Sequence, residues 1–293
     1  MKWVEEEAPA KLNLWLEVLR RREDGYHDLQ MVNVPVGLHD RVRLIPRRDA
    51  GVQLEIFPTS LGLPEDCRNT AYRAAMLVQQ HFPSVGGVRL QIFKKIPVGA
   101  GLAGGSSDAA ATLRGMNRLF DLGIPLSRLA LLGAAIGSDV PFCVYNGLAR
   151  VEGRGERVVG LTSSLAPLWV VLVKPALSLP TAFVFARYAS GFTPLAPSGS
   201  MDALVQAIHT GDYTGVCRLL YNSLESTVCG TIEMVACLRD RLLWEGADAV
   251  LLSGSGPTVC GFVPTKSQAL SIQKRLLCDE MDWEVFVAPL LSL

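Results

Sequence analysis

The first third of the chain alternates apolar and polar residues in short runs. Residues 12–18, LNLWLEV, carry leucine or valine at every second position, which is the period of a strand with one buried face. An Asp-Gly pair at 24–25 then predicts a turn. Further runs predict strands over residues 30–36, 41–45, 52–57 and 88–92. We therefore expect this third of the chain to be mostly sheet.

Helical patterns begin later and then alternate with further strands. Asn69 precedes a run with apolar residues three and four positions apart, so it predicts a helix N-cap. Ser127 predicts another N-cap, for a helix that continues through Ile136. The remaining predicted helices cover residues 108–122, 201–209, 213–220, 232–244 and 267–277, and the remaining strands cover 168–173, 249–252, 258–263 and 283–287. Interleaved helices and strands without an internal repeat predict the α+β class.

The length of the chain favours two domains. Its 293 residues are enough for two hydrophobic cores. A polar, glycine-bearing segment at residues 152–160 separates the early strands from the second half of the chain. We therefore predict an N-terminal domain of residues 1–155 and a C-terminal domain of residues 156–293.

Charge and cysteine usage narrow the classes of partner. The 28 Lys and Arg residues balance the 28 Asp and Glu residues, so no basic surface for nucleic acid or an anionic membrane is expected. The first residues, MKWVEEEAPAK, place three glutamates where a signal peptide would be apolar, which predicts a cytoplasmic protein. The seven cysteines include no CxxC pair and are expected to be reduced thiols. We expect a small-molecule partner, and a chain that acts as a monomer or a homodimer.

The segment 97–108, PVGAGLAGGSSD, lies between a predicted strand and a predicted helix. A loop that enters a helix N-terminus offers unpaired backbone N–H groups and partial positive charge to an anion. The segment lacks the Gly-Lys-Ser/Thr ending of a P-loop, which excludes that motif. Gly99, Gly101 and Gly104 match the pattern GxGxxG, and Asp121 lies at about the distance of a ribose-binding acid. The segment therefore has three interpretations: a dinucleotide loop, a structural glycine turn, or a phosphate loop of another design.

Three segments resemble motifs of one kinase superfamily, that of galactokinase, homoserine kinase, mevalonate kinase and phosphomevalonate kinase. PVGAGLAGGSSDAAA resembles its second motif, of the type PxxxGLGSS, and LLSGSGPTVCGF near the end resembles its third. PAKLNLWLEVLRRREDGYHDLQ resembles the first motif of one branch, whose substrate is a methylerythritol joined to cytidine diphosphate. The motifs occur in the same order and span nearly the full chain. The resemblance implies a two-domain kinase fold, with an N-terminal mixed sheet and helices and a C-terminal ferredoxin-like sheet and helices.

The resemblance also implies the catalytic residues. Asp139, in GSDVP, matches the catalytic aspartate, although a turn or capping role would equally suit its local sequence. Lys11 matches a lysine that pairs with that aspartate, and an edge-strand lysine is its structural alternative. Such a lysine would keep the carboxylate ionised and stabilise the developing alkoxide.

Further residues are implied for the two substrates. Tyr26 and His27 match a stacking ring and a hydrogen-bonding ring for cytosine, although by themselves a core tyrosine and a solvated histidine would be the default. Phe185 matches a second stacking ring, with Phe183 two positions away as an alternative. Asn13 and Thr181 match residues near the acceptor substrate. The residues implied to bind ATP are Asn69, Lys94, Pro97, Val98, Gly99, Ala100, Gly101, Leu102, Ala103, Gly104, Gly105, Ser106 and Ser107.

The resemblance therefore implies ATP-dependent phosphorylation of the 2-hydroxyl of the cytidine-linked polyol, in non-mevalonate isoprenoid synthesis. Mg²⁺ is expected with ATP because the β- and γ-phosphates need a divalent partner. Its protein ligands are left unassigned, with Asp108 as a candidate whose position at a helix N-terminus also has a structural reason. Ala100 and Ala103 replace glycines of the family pattern, which permits an open loop if their φ angles are negative. A sister kinase for another alcohol and a non-catalytic nucleotide-binding module are the alternatives.

Overall fold

The computed structural model of the chain describes residues 3–164, 168–191, 195–278 and 281–291. Two β-sheets organise these residues, one with seven strands and one with four. The strands are β1 (Val4–Arg21), β2 (His27–Arg47), β3 (Val52–Phe57), β4 (Gly87–Phe93), β5 (Ala149–Gly153), β6 (Arg157–Gly160), β7 (Trp169–Pro175), β8 (Tyr221–Asn222), β9 (Ala249–Leu252), β10 (Val259–Val263) and β11 (Trp283–Pro289).

Helices cover the sheets and connect their strands. The helices are α1 (Thr70–His81), α2 (Gly104–Leu119), α3 (Leu126–Ala134), α4 (Val140–Tyr145), α5 (Thr181–Ala189), α6 (Met201–Thr210), α7 (Tyr213–Leu219), α8 (Glu225–Thr231), α9 (Glu233–Trp244) and α10 (Lys266–Leu276). Within the residues described, none of these helices has the length and apolar character needed to cross a bilayer.

The seven-stranded sheet has the order β3-β4-β2-β1-β8, and β5 pairs with β2 and β6 beside this path. Strands β1 and β2 form its centre and are longer than predicted. The strands predicted at 30–36 and 41–45 are parts of β2, because His39 and Asp40 in the interval between them pair with β1. Ala10 pairs with Val36 but Pro9 pairs with His39, so an irregularity in the ladder absorbs the extra residues.

The four-stranded sheet has the order β11-β7-β10-β9, and all its neighbouring strands are antiparallel. This order, with helices between β7 and β9 and between β10 and β11, is the ferredoxin-like arrangement. The fold class predicted from the sequence is confirmed. Helices α9 and α10 bury apolar stripes that include Leu238 and Ile272 in the same core as Val171 and Val259 of the sheet.

A second apolar core joins the two sheets. It contains Leu12 and Val34 from the first sheet and Leu172 and Phe262 from the second, all nearly inaccessible to solvent. Burial of four such side chains contributes several kcal/mol. This core fixes the positions of β1, which carries Lys11, and of the chain around β9 and β10.

Several local predictions were wrong in detail. Helix α2 begins at Gly104 and ends at Leu119, so it includes the last glycines of the loop and is not the predicted 108–122. Pro125 precedes α3, and Ser127 lies within the helix and is not its N-cap. Helices α4, α5 and α8 and the hairpin of β5 and β6 were not predicted. The predicted domain boundary, between residues 155 and 156, lies in the turn of this hairpin and stays a prediction.

Candidate active site

A cavity of about 1220 Å³ lies where the two halves of the chain meet. It exceeds the usual volume of a single-ligand pocket, about 300–1000 Å³, so it has room for two substrates. Residues on its wall that the sequence predicted are Lys11, Tyr26, His27, Asn69, Lys94, Pro97, Val98, Gly99, Ala100, Gly101, Leu102, Ala103, Gly104, Gly105, Ser106, Asp139, Thr181 and Phe185. Ser107 and Asn13 are buried behind this wall.

Residues 97–103 form a loop that leads directly into α2. Beside it lies Asn69, which caps α1, since its side chain accepts a hydrogen bond from the backbone N–H of Ala71. The first N–H groups of α2 belong to the glycine-rich segment, and an α-helix leaves such groups without intrahelical acceptors. They also lie at the positive end of the helix dipole. The loop therefore presents an anion-binding surface to the cavity.

Ala103 corrects one expectation about the loop. It precedes α2 with φ +57, in the left-handed region, and not with the negative φ expected for an alanine. This conformation costs an L-residue about 1–2 kcal/mol. The shape of the loop is therefore maintained by its surroundings.

One such constraint is the close contact between Gly101 and the turn of residues 253–257. Gly101 has φ +74, and a Cβ atom there would lie 2.5 Å from the carbonyl oxygen of Ser253. The Ser253 hydroxyl donates a hydrogen bond of 3.0 Å to the Gly101 carbonyl. The second glycine turn of the sequence thus supports the first. Its Gly254 and Ser255 also line the cavity.

Lys11 and Asp139 meet beside this loop, although they are far apart in the sequence. The Lys11 ammonium lies 3.5 Å from Asp139 Oδ1 and donates a hydrogen bond of 2.8 Å to Asn13 Oδ1. Asn13 in turn donates to Asn33 Oδ1 at 2.6 Å. The Lys11 side chain is 6% exposed and that of Asp139 is 34% exposed. A buried cation is therefore held in a fixed position beside a carboxylate that the cavity can reach.

The local sequence explains how Asp139 is presented. It is the residue before α4, and Pro141 lies in the first turn of that helix, where proline needs no hydrogen bond. The Asp139 side chain does not cap the helix. Its carboxylate remains available to Lys11 and to the cavity.

Aromatic residues form another part of the wall. The rings of His27 and Phe185 lie with centroids 5.0 Å apart and planes tilted by 30°. Burial, and then the charge of Arg21, lower the pKa of His27, which favours the neutral form of its ring. Tyr26 is half-exposed, and Phe183 lies outside the cavity. Of the two phenylalanines considered, Phe185 is the one that reaches the site.

Lys94 is held below the loop by two buried carboxylates. Its ammonium donates hydrogen bonds to Asp40 and, at 2.7 Å, to Asp108 Oδ2. Asp40 also accepts from the backbone N–H groups of Lys95 and Ile96, which lead into the loop. Burial raises the pKa of Asp108 to about 7, with Asp40 acting in the same direction and Lys94 opposing both. This cluster ties both ends of the loop together.

Sequence reasoning missed several residues of the wall. Thr70 donates a hydrogen bond of 2.6 Å to the Gly105 carbonyl, and Ser255 lies 3.1 Å from the Thr181 hydroxyl. Arg154, at the turn of the β5–β6 hairpin, places its guanidinium carbon 3.9 Å from the centre of the Tyr26 ring. Nothing in the periodicity around Arg154 signals this contact, because it depends on how two hairpin tips meet.

Comparisons with known proteins agree with this arrangement. Residues 69–147 match the family model described as GHMP kinases N terminal domain, and residues 204–282 match GHMP kinases C terminal. The chain is 45% identical over 276 residues to a 4-diphosphocytidyl-2-C-methyl-D-erythritol kinase of Geobacillus sp.. This alignment covers 94% of this chain and 93% of the relative.

Solved structures of similar fold include a kinase of the same name as this relative. A crystal structure of 4-(cytidine 5'-diphospho)-2C-methyl-D-erythritol kinase superposes with a TM-score of 0.82 at 32% identity, covering 99% of this chain and 100% of the other. A homoserine kinase from Cytophaga hutchinsonii has a TM-score of 0.76 at 18% identity, covering 98% of this chain and 95% of the other. That second likeness concerns the fold alone.

Proposed function

Because the chain belongs to the 4-diphosphocytidyl-2-C-methyl-D-erythritol kinase family of the GHMP kinases, we propose that it phosphorylates this acceptor with ATP. The product is the 2-phosphate, and ADP is released. The reaction belongs to non-mevalonate isoprenoid synthesis. In this proposal the protein is a cytoplasmic enzyme, a monomer or a homodimer, whose partner is a small molecule.

The observation that carries the proposal is the 3.5 Å contact between Lys11 and Asp139 at the cavity wall. The glycine loop and the rings of His27 and Phe185 line the same cavity as this pair. A hydroxyl placed at the pair would share the cavity with a phosphate donor at the loop and with a nucleoside at the rings. This is the arrangement that transfer to a nucleotide-linked alcohol requires.

Asp139 is the proposed general base. Its carboxylate accepts the proton of the acceptor hydroxyl as that oxygen attacks the γ-phosphorus of ATP. The bond between the γ-phosphorus and the bridging oxygen breaks, and its electron pair leaves with ADP. Lys11, 3.5 Å from the carboxylate, stabilises negative charge on the attacking oxygen. Asn13 positions Lys11 through the hydrogen bond between their side chains.

ATP is proposed to bind along the glycine loop. The backbone of residues 97–106 and the N-terminus of α2 would hold its phosphates. Asn69 and Lys94 lie at the adenosine end in this proposal, and buried Ser107 supports the loop by donating to the Pro9 carbonyl. The Ser106 side chain lies on the cavity wall and is available for a phosphate oxygen.

Mg²⁺ is proposed to accompany ATP. Among the described residues, no three His, Cys, Asp or Glu side chains gather as a metal-binding group. Asp108 Oδ1 is buried without a hydrogen-bond partner, but it is shielded from solvent and the same carboxylate already accepts from Lys94. These residues fit a cation that nucleotide phosphates and water coordinate for the most part, which is usual for Mg²⁺. Bound Mg²⁺ would neutralise charge on the β- and γ-phosphates.

The cytidine end of the acceptor is assigned to the aromatic wall. Tyr26 and Phe185 are the proposed stacking rings, and neutral His27 is the proposed hydrogen-bonding partner of cytosine. Thr181 lies beside them, within 3.1 Å of the Ser255 hydroxyl. A base enclosed by aromatic rings gains about 1–3 kcal/mol per stacking contact.

The test is ADP release by the purified protein with ATP, Mg²⁺ and the cytidyl substrate, beside mevalonate, homoserine and other alcohols. Turnover with the cytidyl substrate alone is the expected result. Turnover only with another alcohol would establish a sister kinase. Binding of ATP without turnover on any alcohol would establish a non-catalytic module and contradict the proposal.

A further inference from the structure

Five cationic side chains of lysine or arginine line the cavity, and most are already neutralised by carboxylates. Lys11 pairs with Asp139, and Lys94 pairs with two buried aspartates. Arg68 pairs with Asp66 through hydrogen bonds of 2.7–3.1 Å. Arg21 and Arg154 are left, within the part of the chain that the structure describes, without a carboxylate at hydrogen-bond distance.

Arg154 is the better placed of these two cations. Its guanidinium lies against the Tyr26 ring, with 3.9 Å between the guanidinium carbon and the ring centre. The nearest carboxylate oxygen, Asp24 Oδ2, is 3.9 Å away, which is too long for a hydrogen bond. Asp24 is committed elsewhere, because it accepts from Arg22 and from the Tyr26 backbone N–H. The N–H groups of the Arg154 guanidinium are therefore available to an anion.

The turn that carries Arg154 is rigidly placed. Glu156 folds back and accepts a hydrogen bond of 2.6 Å from the Arg154 backbone N–H. The next residue, Gly155, has φ +121, and a Cβ atom there would lie 2.4 Å from the Ser138 carbonyl oxygen. Ser138 immediately precedes Asp139. Through Gly155 the turn thus contacts the segment that carries Asp139, the proposed general base. Through Arg154 it contacts Tyr26, the ring proposed to stack on cytosine.

We propose that Arg154 is a substrate-binding residue that recognises the diphosphate of the cytidine-linked acceptor. The inference rests on the proposed function and deepens it. The diphosphate is one ribose away from the nucleobase, so a cation beside the ring that stacks on the base is within reach of it. A planar guanidinium can keep its face against Tyr26 while its edge donates to phosphate oxygens, a combination that lysine does not offer.

The test compares the binding of CDP and of cytidine, by calorimetry, to the wild type and to Arg154→Met. Loss of a charged hydrogen bond to phosphate is expected to weaken CDP binding by about tenfold or more, whereas cytidine binding should change by less than about twofold. Arg154→Lys should retain part of the CDP affinity. Arg157→Met is the matched control, because Arg157 lies in the same hairpin, is 66% exposed and pairs with Glu152 outside the cavity.

Kinetics and salt dependence provide independent readouts. Arg154→Met should raise KM for the cytidyl substrate, with kcat and KM for ATP nearly unchanged. CDP affinity of the wild type should fall with added salt, and less so in Arg154→Met. Thermal melting checks that each variant is folded. If Arg154→Met is not folded, the salt dependence of CDP affinity in the wild type and in Arg154→Lys decides the question.

Equal losses for CDP and cytidine would overturn the inference, since Arg154 would then act only through Tyr26. Unchanged CDP affinity would overturn it as well. A wild-type protein that binds CDP but does not phosphorylate the cytidyl substrate would contradict the proposed function while leaving the diphosphate comparison intact. A wild type that binds neither CDP nor cytidine would overturn both.

Discussion

The ammonium of Lys11, on a central strand of the first sheet, lies 3.5 Å from the carboxylate of Asp139, at the start of α4. Replacing Asp139 by Asn removes the proposed base and keeps its volume. We expect kcat to fall by about 10²–10⁴-fold, with ATP affinity within about threefold of the wild type. Steady-state kinetics and nucleotide binding measure the two effects. Asp202→Asn, an exposed aspartate on α6, should leave kcat unchanged, and full activity in Asp139→Asn would exclude the proposed base.

The contact of Gly101 with the 253–257 turn predicts that the loop tolerates no side chain there. Gly101→Ala adds a Cβ 2.5 Å from the Ser253 carbonyl oxygen, at φ +74. We expect a loss of stability of about 1–3 kcal/mol or more and weaker ATP binding. Gly147→Ala is the control, because nothing lies within 4 Å of its added Cβ. Equal melting temperatures for the two variants would show that the turn does not restrain the loop.

Ala103 predicts the opposite effect from a neighbouring position. Its φ of +57 strains an alanine but not a glycine. Ala103→Gly is therefore expected to stabilise the protein by about 1 kcal/mol or less, since greater freedom of the unfolded chain offsets part of the relief. Chemical denaturation gives the change in the free energy of unfolding. A clear destabilisation would mean that the left-handed conformation is not the strained one.

Phe185 and Phe183 offer a matched pair on one helix. Phe185 lines the cavity beside His27, whereas Phe183 is 45% exposed and lies outside it. Phe185→Ala should raise KM for the cytidyl substrate by about 5–150-fold, the equivalent of one stacking contact, with little effect on KM for ATP. Phe183→Ala should leave both constants unchanged. The reverse result would assign the stacking role to Phe183.

How much the sequence predicts depends on whether a signal is local. The N-cap of Asn69 and the strand at 249–252 were predicted correctly because capping chemistry and alternation act within a few residues. Strand β2 was divided in two because its continuity comes from its partner β1, with which pairing resumes at His39 after an irregularity, and not from its own sequence. The interleaved patterns predicted the α+β class, and the resemblance supplied the two-domain kinase fold. The strand pairings that form this fold are between residues far apart in the sequence.

The same distinction holds for the site. Motifs indicated Lys11 and the glycine loop, but no local pattern indicates that Gly101 contacts the 253–257 turn or that Asn13 lies behind Lys11. The left-handed φ of Ala103 was also not predictable, because the surrounding contacts impose it against the preference of the residue. Arg154 reaches the cavity only because two hairpin tips meet in space.

Asp108 predicts a dependence of stability on pH. Burial raises its pKa from the usual 3.8 to about 7, so between these two pH values the folded protein holds a proton that the unfolded chain has released. The contribution of this proton to the free energy of unfolding is complete below pH 3.8 and is lost as the pH rises through about 7. Asp108→Asn removes the ionisation, so its melting temperature relative to the wild type should be higher at pH 8 than at pH 5.5. Differential scanning calorimetry without nucleotide measures this difference in melting temperature.

Asp66→Asn is the control, because Arg68 lowers the pKa of Asp66 to about 2. The pKa values of Asp66 in the folded and unfolded chain therefore both lie below pH 5.5. The melting temperature of Asp66→Asn relative to the wild type should be the same at both pH values. If the difference in melting temperature between Asp108→Asn and the wild type does not change with pH, the Asp108 carboxylate stays ionised beside Lys94.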